Sequence, residues 1–267
     1  MLLKNNKMMN KKPLFSILIL MLILVNSAFA QHARFTTEGS IEFEKSVNMH
    51  ALIKKNMNKD NEFYYLPAFE EFKKTQTQFK VLKSTLVFNK DKTIFTPEAI
   101  DVSARTWFSD IPASTQNNII YTDLSSGTSI IQKSVFEEVF LVSDSTRKIN
   151  WKITSETREI AGYNCRRANA IIMDSIYVVA FYTDEIPVSG GPESFTGLPG
   201  MILGLAMPYE NISWFAKQVF DKPIAAGAII APKKGKPIDN KGLLATLTKA
   251  MKSLGTYAQN SLKSFLL

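Results

Sequence analysis

Few residues in this 267-residue chain can do chemistry. It has two histidines, His32 and His50, and one cysteine, Cys165. No group of His, Cys, Asp and Glu carries the spacing of a metal site, so neither metal nor cofactor is expected. There is no Gly-x-Ser-x-Gly elbow and no phosphate loop. A Ser-His-Asp triad would have to recruit His50 from a weakly patterned stretch. Two carboxylates could hydrolyse a glycoside. Asp184 and Glu185 are adjacent and would point to opposite faces of a strand, whereas Glu193, across the following loop, could converge with Asp184. Otherwise these acids are exposed strand-end charges, and the expectation is that the protein is not an enzyme. A single thiol cannot close an intramolecular disulfide and is best tolerated as a small buried apolar residue. Arg166 and Arg167 fall one on each face of a strand, with Asp174 or Glu159 as partners for either.

Binding is the chemistry the sequence favours. The strands bring Trp151, Tyr163, Tyr177, Phe181, Tyr182, Trp214, Phe215 and Phe220, which either fill a core or line an apolar cavity. The strand ending in Tyr182 runs into Pro187. Gly191-Pro192 and Gly197-Leu198-Pro199-Gly200 then turn the chain twice before the apolar run 201–207. Glycine permits positive φ and close backbone approach, and proline fixes φ, so this is a corner of one defined shape. The binding candidates are Trp151, Phe181, Tyr182, Pro187, Gly191, Pro192, Gly197, Leu198, Pro199 and Gly200.

The elements that must hold these residues are strands. From Arg34, Phe35, Thr37, Gly39, Ile41 and Phe43 alternate with a polar face, the mark of a sheet wet on one side. Residues 48–62 read as a loop, and 66–72 as a short helix with Pro67 in its first turn. A hairpin follows over 79–95, with its turn at 89–92. A long connection, 97–118, leads to strands over 119–123, 129–142, 148–159, 163–173, 176–184, 201–207 and 212–221. Ala161-Gly162 and Asp174-Ser175 fit tight links. The run 201–207 lacks alternation, so both its faces should be buried. The fold class is mainly β: a strongly curved antiparallel meander, a half-barrel or bowl, with one or two short helices and a C-terminal amphipathic helix.

The ends are of a different kind. Four lysines, an apolar run over 14–25 and Ala28-Phe29-Ala30 make residues 1–30 a Sec-type signal peptide. The cleavage site lacks the cysteine a lipoprotein needs, and no later run is long enough for a membrane helix. The mature chain is therefore expected in the periplasm or outside the cell. The formal net charge is +8, but the leader carries four lysines and no acid, and 223–267 carries seven lysines against Asp239. That leaves 31–222 at −2, which offers no nucleic-acid groove. Residues 31–222 are read as one β domain and 223–267 as a basic linker and helix. Asp239 or Asn240 caps that helix, and apolar residues recur from Leu243 to Phe265. The helix either packs on its own domain or, through 239–265, touches an anionic membrane or a partner.

"GLPGMILGL" resembles the signature of the GLPGLI family, secreted proteins of Bacteroidota. "INWKITSETREIAGYNCRRA" (149–168) and "FYTDEIPVSGGPESFTGLPG" (181–200) resemble its Trp strand, hairpin and Gly/Pro block. "GSIEFE" (39–44) and "STLVFN" (84–89) resemble its first strands. Met201 and Phe181 depart from the pattern. The resemblance implies a bowl-like β domain similar to the N-terminal module of some secreted peptide:N-glycanases, and no established activity. The function expected is a non-catalytic binding module of the cell envelope, holding an apolar ligand or an envelope protein. The alternatives are an envelope assembly factor acting through the basic helix and a glycan-related hydrolase.

Overall fold

A computed structural model describes residues 35–99, 107–115, 118–252 and 255–267. The leader-like residues 1–30 and His32 lie outside them. Residues Thr36–Leu267 form one compact unit.

Twelve strands make one sheet: β1 (Gly39–Asn48), β2 (Phe79–Phe88), β3 (Lys92–Pro97), β4 (Asn118–Asp123), β5 (Thr128–Val135), β6 (Glu138–Ser145), β7 (Lys152–Ile160), β8 (Tyr163–Ile172), β9 (Ile176–Thr183), β10 (Met201–Met207), β11 (Ile212–Phe220) and β12 (Lys236–Ile238). Their spatial order is β12-β6-β5-β4-β3-β2-β1-β11-β10-β9-β8-β7. Every pairing is antiparallel except β12 with β6. The mainly β, curved-sheet expectation holds. The connection from β6 to β7 shows how strong the curvature is. These strands lie near opposite edges, ten strand spacings apart, about 48 Å in a flat sheet. The six residues joining them reach about 25 Å at full stretch. The sheet must therefore curl until its edges approach, although it does not close into a barrel.

The concave face is apolar by register. Ile41, Leu86, Phe95, Ile120, Ile131 and Val142 are paired neighbours in a row across six strands, all buried. In β1 the inward set is Gly39, Ile41, Phe43, Lys45 and Val47, whereas Phe35 and Thr37 precede the strand and are exposed. The segment 184–200 crosses this concavity. Gly190 lies against Thr93 of β3 and Met201 of β10, strands four places apart in the sheet. Ile186, Val188, Phe195 and Leu198 of the segment are fully buried. With this filling on one side and the curled β7 on the other, β10 is buried on both faces. Arg158 of β7 stacks over Phe181 and Phe215, and Gly204 packs closely against Ile160.

Several local expectations are corrected. Residues 48–62 are a loop only over 57–61: Asn48 accepts from the Ala51 N–H at 3.1 Å and caps a helix, α1 (Met49–Asn56). The capping asparagine outweighs the lysine-rich composition that suggests a loop. The next helix, α2 (Glu62–Thr75), begins earlier than Pro67, which sits inside it. The stretch 129–142 is two strands, broken where Phe136 takes a left-handed φ of 53°. The β8–β9 link turns at Met173 and Asp174, one residue earlier than the expected pair. A four-residue helix, α3 (Pro112–Thr115), interrupts the long connection. The linker contributes β12, and the C-terminal helix is two: α4 (Asn240–Ala250), capped by Asp239 at 2.7 Å, and α5 (Gly255–Leu266). Gly255, of low helix propensity, stands at the start of the second helix.

Two glycines separate close approach from backbone freedom. A Cβ on Gly200 would collide with the Thr183 carbonyl, whereas one on Gly162 (φ 83°) meets no neighbouring atom within 4 Å. Gly200→Ala is expected to cost about 3 kcal/mol or more in urea unfolding, and Gly162→Ala about 1 kcal/mol. Equal costs would mean that the corner is not tightly packed.

Candidate functional site

The sheet's inner face carries an island of charge. Lys45 on β1 and Lys133 on β5 both occupy inward positions and are 6% and 3% exposed. Asn118 pairs in register with Lys133 on the neighbouring strand and is also buried. Glu193, 8% exposed, reaches the island from the crossing segment. Its backbone is left-handed, φ 52°, which costs a non-glycine residue about 1 kcal/mol. Asn118 Nδ2 donates to Glu193 Oε2 at 3.3 Å. Lys45 Nζ lies 5.0 Å from the centre of the Trp214 ring.

Desolvation dominates the electrostatics here. Burial pushes Glu193 above the ordinary carboxylate range, while Lys45, Lys133 and the Asn118 amide pull it back. Burial lowers Lys45, against the attraction of Glu193. Burial lowers Lys133 to about 8, with Arg147 and Lys45 adding to the shift and Glu193 opposing it. Two lysines thus face one carboxylate, and Arg147 adds its charge beside Lys133.

The last turn of α5 lies over this island. Lys133 Nζ donates to the Phe265 carbonyl at 2.6 Å and Arg147 Nη2 to that of Leu266 at 2.7 Å. Ser194 Oγ donates to the Leu267 backbone oxygen at 3.3 Å. A cavity of about 20 Å³, room for one water, remains beside Lys45, Glu193 and Trp214.

The residues named from the sequence gather at a different place, the fastening of the crossing segment. Trp151 Nε1 donates to the Thr196 carbonyl at 2.9 Å, and its ring lies against Gly197. Gly191 packs on Ile202 and Gly200 on Thr183. Phe181, Tyr182, Gly191, Pro192, Leu198 and Gly200 are buried, while Pro187, Gly197 and Pro199 reach the surface. Of the two carboxylates, Asp184 is exposed and Glu193 buried. Arg167 pairs with Glu156 at 2.6 Å, not with Asp174 or Glu159, because Glu156 flanks it across the β7–β8 irregularity. Cys165 is buried and its thiol is pushed up to about 12 by desolvation. His50 stands edge-on to Phe69 and Phe72. Among the described residues no three His, Cys, Asp or Glu side chains form a metal-sized group.

Lys45 and Lys133 were legible as interior residues. The alternation Ile41, Phe43, Lys45, Val47 continues past the point where the apolar face was read to stop. The alternation Ser129, Ile131, Lys133, Val135 is hidden only by treating two strands as one.

A family model described as a protein of unknown function (Porph_ging) matches residues 171–204, from the end of β8 through β9 and the crossing segment into β10. The chain is also similar to two solved structures of PNGF-II. One, in space group P21, is 18% identical, with a TM-score of 0.47, over 76% of this chain and 32% of that one. The other, in space group C2, is 18% identical, with a TM-score of 0.47, over 85% and 33%. The chain therefore spans about a third of the length of these structures. No curated protein matches it.

The depressed lysine makes stability depend on pH. Between the folded value of about 8 and the ordinary 10.5, the unfolded chain binds more protons, so stability rises with pH. Complete relief approaches about 3 kcal/mol. Cys165 opposes this above its ordinary value of 9.0, since the unfolded thiol ionises first. Comparison with Lys133→Met cancels the cysteine. Wild type should gain on the variant in urea midpoint from about pH 7.5 to 9.5; a constant difference would place Lys133 in water.

Proposed function

We propose that the protein is a non-catalytic binding module of the cell envelope, exported by its leader, and that its concave face is the binding site. One observation carries this reading: a charged island beneath the end of α5, where packing alone would call for apolar side chains. Burying such groups costs several kcal/mol and is tolerated only with partners. The resemblance of 181–200 to the GLPGLI block supports the envelope assignment. The scarcity of nucleophiles and bases in the sequence, and the different settings of exposed Asp184 and buried Glu193, support a non-catalytic role. Of the two sequence readings, a filled core or an apolar cavity, the first is favoured here, since the crossing segment and α5 occupy the concavity. A partner meeting the Gly/Pro corner would touch Pro187, Gly197 and Pro199.

The basic C-terminal region supports a second reading, peripheral contact with an anionic membrane. Lys233, Lys234, Lys236, Lys241, Lys249 and Lys252 are exposed, but Leu243, Leu247 and Met251 are buried. The apolar face of α4 is thus spent on the protein itself, and the contact would be electrostatic and salt-sensitive. No helix among the described residues is long and apolar enough to cross a membrane.

Native mass spectrometry of the full chain, gently purified from an envelope fraction, tests the first reading. A reproducible extra mass in the small-molecule range is expected, lost on mild activation. A uniformly bare chain, at the protein's own mass across preparations, would overturn it.

A further inference from the structure

Lys133 and Asn118 stand directly opposite one another on β5 and β4, both on the inner face and both buried. Opposed side chains on one face of an antiparallel pair have Cβ atoms about 5 Å apart. A lysine stem spans that distance with bends to spare, so the amine can reach the amide carbon of its neighbour. Lys45, on β1, is three strands from Asn118. Glu193 comes to the pair from the crossing segment. Its Oε2 accepts from Asn118 Nδ2 at 3.3 Å, and its charge acts on Lys133. A buried amine, a buried carboxamide and a buried carboxyl group thus share one water-poor place.

Each group suits one reaction. A carboxamide is an acyl group whose leaving group is ammonia. In water a lysine is an ammonium ion and no nucleophile; a desolvated lysine supplies the neutral, reactive form. Burial lowers Lys133 to about 8, with Arg147 and Lys45 acting in the same direction and Glu193 against them. The Phe265 carbonyl takes one N–H of Lys133 at 2.6 Å, which leaves the lone pair of a neutral amine uncommitted. Glu193 touches the nitrogen that has to depart, where a proton is needed. The cavity of about 20 Å³ beside Asn118 and Glu193, which Lys45 and Leu267 also line, has room for one water, and ammonia is of the same size.

We propose that Lys133 and Asn118 join in an isopeptide bond that the chain forms by itself, with Glu193 carrying the proton. The lone pair of the neutral Nζ attacks Cγ of Asn118. Glu193 takes a proton from Nζ and passes it to Nδ2. The Cγ–Nδ2 bond breaks, its electron pair leaves with the nitrogen, and one ammonia is released. Nζ and Cγ are then an amide, Glu193 is again a carboxylate, and the step needs no oxidant or co-reactant. Holding amine and amide face to face on paired strands supplies the proximity that such an attack requires. The product has one buried cation fewer, and 118–133 becomes a covalent loop. The inference stands apart from the binding reading above, and the pH dependence assigned to Lys133 belongs to the unreacted chain.

The test is mass spectrometry of the full chain, folded at mildly alkaline pH and then denatured. A species lighter by one ammonia is expected, and Lys133→Arg should not form it. Glu193→Ala should slow its appearance at least about a hundredfold. Thermal melts establish that both variants fold. Proteolysis of the wild type gives the answer without any variant. The bond should stop trypsin at Lys133. Cleavage before Asp123, which lies between the two residues in sequence, should leave its two flanking pieces joined. Pieces that separate there overturn the proposal even if the intact mass is low, since a succinimide at Asn118 also loses ammonia. So does hydrolysis of Asn118 to the acid, the mark of attack by water, and so does a link from Lys45 in place of Lys133.

Discussion

A sheet of twelve strands that curls on itself has an inside, and something must fill it. Here the filling is the chain's own stretch between β9 and β10, which buries Ile186, Val188, Phe195 and Leu198. Other features follow from that crossing. It demands glycines where backbone meets backbone, at 191 and 200, and a tether at Trp151 to keep the two turns in register. It buries β10 on both sides. It also carries Glu193 into the interior on a left-handed residue. The Gly/Pro corner is therefore first a device for routing chain through a bowl, and the charged island is set where that route passes the inner faces of β1, β4 and β5.

The island runs against the rest of the core. Its groups are charged residues in a low-dielectric space, each held away from its ordinary titration range by the lack of water. Replacing such a cluster with well-packed apolar side chains is often neutral or stabilising. Its presence therefore argues for a task other than packing the core. The split of the C-terminal region has the same sense. α4 is a conventional amphipathic helix with a side-chain cap. α5 buries Phe265 beside the inward Ser261 and is fastened in addition through its last backbone oxygens.

Much of the fold was legible because strands announce themselves by alternation and short turns. The hairpin at 89–92, the Ala161-Gly162 link and the unbroken apolar run of β10 all lie where pattern places them. What was lost was lost for identifiable reasons. α1 hides behind lysines and asparagines, and only the side-chain cap of Asn48 gives it away. Phe136, an aromatic residue in a left-handed turn, looks like strand. The island was missed because a lysine is ordinarily taken as the outer face of a strand, although the alternation itself put Lys45 and Lys133 inside. No local pattern could have shown that Arg147, in the short β6–β7 connection, would meet the end of α5, since that contact exists only because the sheet curls.

The parallel pairing of β12 with β6 sets how the molecule ends at its rim. Beside those three residues lie Phe140, Leu141 and Val142, an apolar β-forming stretch that would otherwise offer its free amides and carbonyls sideways to any neighbour. The opposite rim is guarded differently, by an irregular β7 bearing Lys152, Glu156, Arg158 and Glu159. Charge and irregularity blunt one edge, and a strap of backbone containing Pro237 covers the other. The stretch that looks in sequence like a spacer before a helix thus serves as a selvedge, keeping the sheet from unravelling into contact with copies of itself.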